Sequence, residues 1–338
     1  MLNMDYQKLF ERGLYMHHIT NTAYPLTPGS FRNYKITDRK TIEELLKSDL
    51  GKINELSLYV HIPFCQSRCK FCEYAVVSGE DKKQKDKYVE YLLKEIDMYK
   101  ELIGNKKIVG FDMGGGTPTQ LTGTQIKIIT DYLQKNFNFD PKAEMSIETT
   151  PVIAANDLDK IKELYNIGYR RISMGIQTIN PILLKEFERE GNVSLYKKAI
   201  DNIRKSGFKK LNIDLMYGFL NQSNEDFATT IEYAIKVSPE YITLYRNRYK
   251  GTQIAYEAES VTLEKVNKQY KIAYDLLNQN GYEANYGKNT FSRIKGDYGT
   301  SDYLTKRVIK GVPYIGFGLG AQSFGNSYLA YNEGARTK

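Results

Sequence analysis

From residue 55 onward the chain alternates short apolar runs with longer stretches whose apolar positions recur every three to four residues. The short runs predict strands at 56–61, 108–113, 145–149, 171–176, 211–217 and 241–245. The longer stretches predict helices at about 85–102, 124–137, 157–166, 194–205 and 224–237, with a sixth at 263–279 for which Thr262 is the N-cap. Before residue 53 the pattern is irregular. Thr41-Ile42-Glu43-Glu44 reads as a capping box opening a short helix, and residues 21–30, with two prolines and a glycine, read as loop. Six strand–helix units in strict alternation predict a parallel sheet with right-handed crossovers. Six are too few for an eight-fold barrel, and no Gly-x-Gly-x-x-Gly opens the series. The expected class is therefore α/β, a partial (βα)6 TIM-like barrel with an N-terminal extension. In such a fold chemistry sits beyond the carboxyl ends of the strands.

A length of 338 residues suggests about two domains, unless the chain forms one large α/β unit. Hydrophobic residues at 41% and charged residues at 26% exclude a disordered or fibrous chain. Lys+Arg 48 against Asp+Glu 40 gives 48 − 40 = +8. That excess is spread along the chain, which reads as solubility rather than a nucleic-acid footprint. No apolar run approaches the roughly 20 residues of a membrane span, and the first residues, MLNMDYQKLFERG, lack the apolar centre of a secretion signal. The expected setting is a reducing cytoplasm, away from membranes. Three cysteines are an odd and sparse set that excludes a disulfide scaffold.

All three cysteines fall directly after the first strand, as Cys65-x3-Cys69-x2-Cys72. Three thiolates on one short loop can wrap a metal centre and leave one coordination position unfilled, and soft thiolates select zinc or an iron–sulfur centre. A zinc site would recruit His61 or a distant residue as its fourth ligand. Structural zinc sites, however, usually bring paired ligands from two segments. The chain has no further cysteine, and its other histidines, His17 and His18, lie in the N-terminal extension. The expectation is a cluster with one open iron.

This motif, with Phe71 before its last cysteine, resembles the radical S-adenosylmethionine (SAM) superfamily. The surrounding LYVHIPFC resembles the branch of oxygen-independent coproporphyrinogen III oxidase, the HemN-like branch. The likeness continues through GGGTPTQL (114–121), SIETTP (146–151), RISMGIQT (171–178) and NIDLMYG (212–218), and YIGFGLGAQSF (314–324) resembles the segment ending the family's catalytic domain. The resemblance implies a partial barrel of the radical SAM type and a [4Fe–4S] cluster held by Cys65, Cys69 and Cys72. It also implies SAM chelated at the open iron and cleaved reductively to methionine and a 5′-deoxyadenosyl radical. Glycine leaves room for close backbone approach to a ligand, and the resemblance assigns Gly115 to the SAM amino group. A lone strand-to-helix turn accounts for one of the three glycines and strains to account for all. Tyr59, Phe71 and Glu148 are further implied contacts of the cofactor. Gln177, Arg189 and Asp214, with Gly116 and Thr117, are the implied holders of a second SAM, so one molecule or two are expected. A charge at Asp214 facing the barrel interior would cost several kcal/mol without a partner.

If the sixth strand continues, Arg246, Arg248 and Lys250 share one face and present three cations to substrate carboxylates; the rival reading is a solvated loop. GFGLG (316–320) has the wrong spacing for a dinucleotide loop. The domain expectation is an extension over 1–52, a barrel core over 53–250 and a C-terminal part of the catalytic domain over 251–338, without the helical cover domain of much of the family. Three departures stand out. Glu73 and Tyr74 follow Cys72 where the oxidases carry a further cysteine, as the haem-chaperone relatives also lack it. AYPLT (23–27) faintly resembles a segment of the oxidases, and Gln322 stands where many relatives have histidine. Three functions follow: an oxidative decarboxylase of a carboxylate-bearing tetrapyrrole, a methyltransferase or carbon–carbon bond-forming enzyme using a second SAM, or a haem chaperone. A small acidic substrate and an electron donor such as flavodoxin or ferredoxin are the expected partners.

Overall fold

The computed structural model describes residues 38–332 apart from 75, 80 and 285–288, together with residues 5, 7, 8 and 36. The loop expected at 21–30, its segment 23–27, and His17 and His18 lie outside the described residues.

Helix α1 (Arg39–Leu50) starts before the expected capping box. Asp38 caps it instead, because its carboxylate accepts both the backbone N–H of Thr41 at 2.8 Å and its hydroxyl at 2.7 Å. Six strands then follow: β1 (Glu55–Ile62), β2 (Lys107–Gly115), β3 (Met145–Thr149), β4 (Tyr169–Gln177), β5 (Lys210–Tyr217) and β6 (Tyr241–Arg246). They lie side by side in chain order, every neighbouring pair parallel. Helices α2 (Lys82–Met98), α3 (Gly123–Asn136), α4 (Leu158–Ile167), α5 (Val193–Lys205) and α6 (Asn224–Val237) make the crossovers, and α7 (Leu263–Gln279) follows β6. Thr262 caps α7 through the N–H of Lys265. The stretch expected as one helix over 85–102 divides at Tyr99, beyond which Lys100–Ile103 forms a separate turn.

The apolar residues of β1, β2 and β4 on the helix side are almost wholly buried, including Leu58, Val60, Phe111, Ile172 and Met174. Parallel strands covered by helices need such runs. The sheet gains a further parallel member at its edge that the apolar pattern did not announce. After β7 (Thr290–Ser292), antiparallel to β6, comes β8 (Tyr314–Phe317), which pairs in parallel with the free side of β1. β9 (Gln322–Phe324) and β10 (Leu329–Tyr331) extend that edge antiparallel. Among the described residues no ladder joins the two edges, so the barrel stays open.

Residues 297–303 fill the interior at the amino ends of the strands. Ser301 donates to Asp112 on β2 at 2.5 Å, Arg171 on β4 donates to the Gly299 carbonyl at 2.8 Å, and Tyr241 on β6 donates to Asp297 at 2.8 Å. Tyr303 stacks on Tyr59 with ring centroids 5.6 Å apart. This plug floors the barrel and leaves its carboxyl end open. Among the described residues no helix is long and apolar enough to cross a membrane.

Candidate functional site

A cavity of about 540 Å³ opens at the carboxyl ends of the strands, where a partial barrel is expected to do its chemistry. Its wall includes all three cysteines and Tyr59, Phe71, Gly115, Gly116, Thr117, Glu148, Gln177, Arg189 and Asp214, with Arg246 and Arg248. Lys250 is not part of that wall. β6 ends at Arg246, so the alternation that would have put three cations on one face stops there, and Lys250 sits exposed in the turn beyond.

The cysteine loop leaves β1 through Phe64–Cys65, which pairs with Val77–Ser78. A bond from Cys72 N–H to the Cys69 carbonyl, 2.9 Å, curls its end. Phe71 anchors it by packing against Phe187 and Phe219, with centroids at 5.3 and 5.7 Å. Arg189 donates to Cys69 Sγ at 3.4 Å, and Cys65 Sγ lies 3.6 Å from the Thr117 hydroxyl. Burial pushes the Cys65 thiol up to about 11 and raises Cys72 as well. Burial outweighs the pull of Arg189 on Cys65 and of Arg68 on Cys72, so both thiols stay protonated at neutral pH, and a coordinating metal centre deprotonates such thiols outright. Among the described residues no three His, Cys, Asp or Glu side chains converge as they would around a single ion. A cluster spreads its thiolates over separate irons, so three soft sulfurs facing one cavity suit it without that convergence.

His61, named above as a possible zinc ligand, is buried between Tyr59, whose hydroxyl is 3.3 Å from its Nδ1, and the backbone of Gly115. Burial lowers it to about 4 and keeps it neutral.

The three glycines each have a packing reason. A Cβ on Gly114 would stand 2.9 Å from the Glu148 carboxylate, and one on Gly115 2.7 Å from the His61 ring. One on Gly116 would stand 2.7 Å from the Pro63 carbonyl. Gly115 also has φ +119°, a conformation open to glycine. Packing therefore gives each of the three a reason beyond the turn, which by its backbone conformation requires glycine only at Gly115.

Glu148, near the end of β3, accepts the Gly115 N–H at 3.2 Å. Its carboxylate faces the cavity, and removal from bulk solvent by the protein around it, then the nearby Asp214, pushes it up to about 8. Asp214 on β5 is likewise raised by burial, to about 6, against the pull of Asn212 and Ser173, which donate to it at 2.7 and 3.2 Å. Burial also raises Tyr59 well above its usual range. Gln177 ends β4 in the left-handed region, φ 68°, where β4 and β5 slip register. Its Oε1 and the Nε of Arg189 are buried and have no hydrogen-bond partner among the described residues. Arg189 Nη2 donates to the Gly175 carbonyl beside them. Orphaned polar atoms at a cavity wall are what a polar ligand would satisfy.

Sequence reasoning missed Tyr74, Ser173, Arg68 and Tyr245, all in the wall. Tyr245 was recoverable, since Tyr241, Thr243 and Tyr245 alternate onto one face of β6. Ser173 was recoverable in the same way on β4. Tyr74 and Arg68 follow no periodicity.

The family described as the radical SAM superfamily matches residues 59–234, just over half of the chain. Over 238 residues the chain is 31% identical to the heme chaperone HemW of Buchnera aphidicola subsp. Schizaphis graminum, covering 69% of this chain and 61% of that protein. Over 243 residues it is 31% identical to the oxygen-independent coproporphyrinogen III oxidase of Escherichia coli, covering 70% of this chain and 52% of that protein. The chain spans about half to three-fifths of the length of these relatives. The solved structure of coproporphyrinogen III oxidase (HemN) from Escherichia coli superposes with a TM-score of 0.75 at 25% identity, covering 90% of this chain and 74% of that one.

Proposed function

The chain belongs to the radical SAM superfamily, and we propose that it is a HemN-like enzyme acting on a tetrapyrrole that carries carboxylates. The family fold implies a [4Fe–4S] cluster and SAM; together, when bound, they supply reductive cleavage of SAM to a 5′-deoxyadenosyl radical. In this reading Cys65, Cys69 and Cys72 hold the cluster while Phe71 packs the loop that carries them. Gly115, Tyr59 and Glu148 orient the SAM bound there. Glu148 is suited to accept from an ammonium or ribose hydroxyl once ionised. Gln177, Arg189 and Asp214, beside Gly116 and Thr117, receive a second SAM. Arg246, at the mouth, meets a substrate carboxylate. The observation that carries the reading is the convergence of all these groups on one cavity, in a chain similar to HemN over 90% of its length.

The test is anaerobic reconstitution with iron and sulfide, then reduced flavodoxin or ferredoxin, SAM and coproporphyrinogen III, with products read by mass spectrometry. Decarboxylated porphyrinogen with 5′-deoxyadenosine supports the reading. Intact porphyrinogen with 5′-deoxyadenosine still formed sends the search to another substrate. S-adenosylhomocysteine among the products favours methyl transfer. The Cys69→Ala variant is expected to lose the brown chromophore and most of its iron, and unchanged iron content removes the cluster assignment. Equilibrium dialysis with labelled SAM counts one molecule or two.

Two observations favour a second reading, haem binding and transfer: Glu73 and Tyr74, rather than a cysteine, follow Cys72, and HemW matches as well as the oxidase does. Stoichiometric haem binding without porphyrinogen turnover would select it.

A further inference from the structure

The loop that carries the cysteines is tied at three points to the segment directly after β6. Arg68, between Cys65 and Cys69, donates to the Cys72 carbonyl at 3.2 Å and to the Gly251 carbonyl at 3.1 Å. The Gln253 N–H donates to the Lys70 carbonyl at 2.9 Å. Glu73, the residue after Cys72, pairs with Arg248 in the cavity wall, and the two side chains keep only 10% and 18% of their exposure. The first two ties end on backbone atoms of the segment. The third joins two side chains of opposite charge, taken mostly out of water, where losing either partner deprives the other of a neutralising charge.

We propose that Glu73 and Arg248 are a positioning pair that clasps the cysteine loop to the cavity mouth and sets the orientation of Cys72. Arg248 is then withdrawn from the substrate carboxylates, leaving Arg246 to meet them. The geometry also makes the loop and residues 247–253 one unit: what moves the mouth moves the sulfurs. The inference rests on the reading that the cysteines hold the cluster, and is independent of which substrate is bound.

The test uses the full-length chain, with and without reconstituted cluster, in Glu73→Gln, Arg248→Gln and the double variant Glu73→Arg/Arg248→Glu. Amide hydrogen exchange on the iron-free protein is expected to rise roughly tenfold in both 65–73 and 247–253 in either single variant, with α3 unchanged, and to return toward wild type in the double variant. On reconstituted protein the single variants are expected to bind as much iron as wild type, but with shifted electron paramagnetic resonance g-values of the reduced cluster. The double variant moves them back. A rise confined to the mutated segment, unchanged g-values, or a double variant no closer to wild type than the singles overturns the clasp. Wild-type protein that takes up no iron overturns it at the reading beneath, and the wild-type control tells the two failures apart.

Discussion

Asn212 donates its side-chain amide to Asp214 Oδ1 at 2.7 Å, two residues along the same face of β5. Its second amide hydrogen goes to the Ser173 hydroxyl at 2.7 Å, and Ser173 donates in turn to Asp214 Oδ2 at 3.2 Å. The Asn212 oxygen accepts from Thr243 on β6 at 2.9 Å. An amide whose nitrogen meets a carboxylate, an acceptor only, while its oxygen meets a hydroxyl has one satisfied orientation. Three strands thus aim one buried carboxylate at the cavity, and two donors oppose the burial that raises it to about 6.

Removing the donor should move Asp214 further toward the neutral acid. A hydrogen bond to a charged group contributes about 1.5–3 kcal/mol, which would raise Asp214 by roughly one to two pH units, so Asn212→Ala is expected to lower SAM-dependent turnover at neutral pH by roughly two- to fifteenfold. The acidic limb of its pH–rate profile should shift upward, so that activity recovers in part at higher pH. Thr243→Val leaves both donors to Asp214 and only releases the amide oxygen, so its loss should be smaller. A uniform loss with an unshifted limb would mean that Asn212 acts on packing alone.

Glu148 gives the pH dependence of the ligand-free fold. Its folded value, about 8, lies above the ordinary 4.5, so the folded chain binds the proton more tightly than the unfolded chain. Stability from this group is fully present below pH 4.5 and is lost as pH rises through about 8. Glutamine keeps an acceptor for the Gly115 N–H without titrating. Glu148→Gln should therefore match wild type in urea unfolding at acidic pH and become the more stable of the two as pH approaches 9. A gap that does not change with pH would show that cavity water keeps Glu148 at its ordinary value.

The parts of the fold that the chain spells out locally were legible. Leu58 and Val60, or Ile172 and Met174, announce strands by their own run, and Thr262 announces a helix start by its own hydroxyl. The cysteine loop and Glu148 declared themselves because a motif and its strand end coincide. What stayed hidden depends on partners far away in the chain. Tyr314–Phe317 reads as a strand only once β1 offers it a free edge. GDYGTSDY (296–303) is polar and glycine-rich, the composition of a surface loop, yet Asp112 and Arg171 draw it inside. Glu73 and Arg248 are 175 residues apart, and neither carries a local sign of the other. Lys250 shows the opposite limit: alternation does not say where a strand ends, and β6 stops at Arg246, which leaves the solvated-loop reading for this residue.

The plug makes a further stability prediction at Gly110. This residue lies on β2 two positions before Asp112, and a Cβ added there would stand 2.7 Å from Tyr303 Cα and 2.8 Å from Tyr303 N. Those are backbone atoms, so no rotamer relieves the clash; the plug must withdraw or β2 must bend. Overpacking of this kind costs about 1–3 kcal/mol, so Gly110→Ala should lower the urea midpoint by that equivalent. The displacement reaches the site, because Tyr303 carries the ring on which Tyr59 stacks. Gly110→Ala should accordingly weaken SAM binding in calorimetry. Tyr303→Phe, which loses only the bond from Arg307 to the hydroxyl and keeps the stack, should bind SAM nearly as wild type. Weakened binding in both variants, or in neither, would detach the plug from the orientation of Tyr59 and leave it a floor with no bearing on the cavity above.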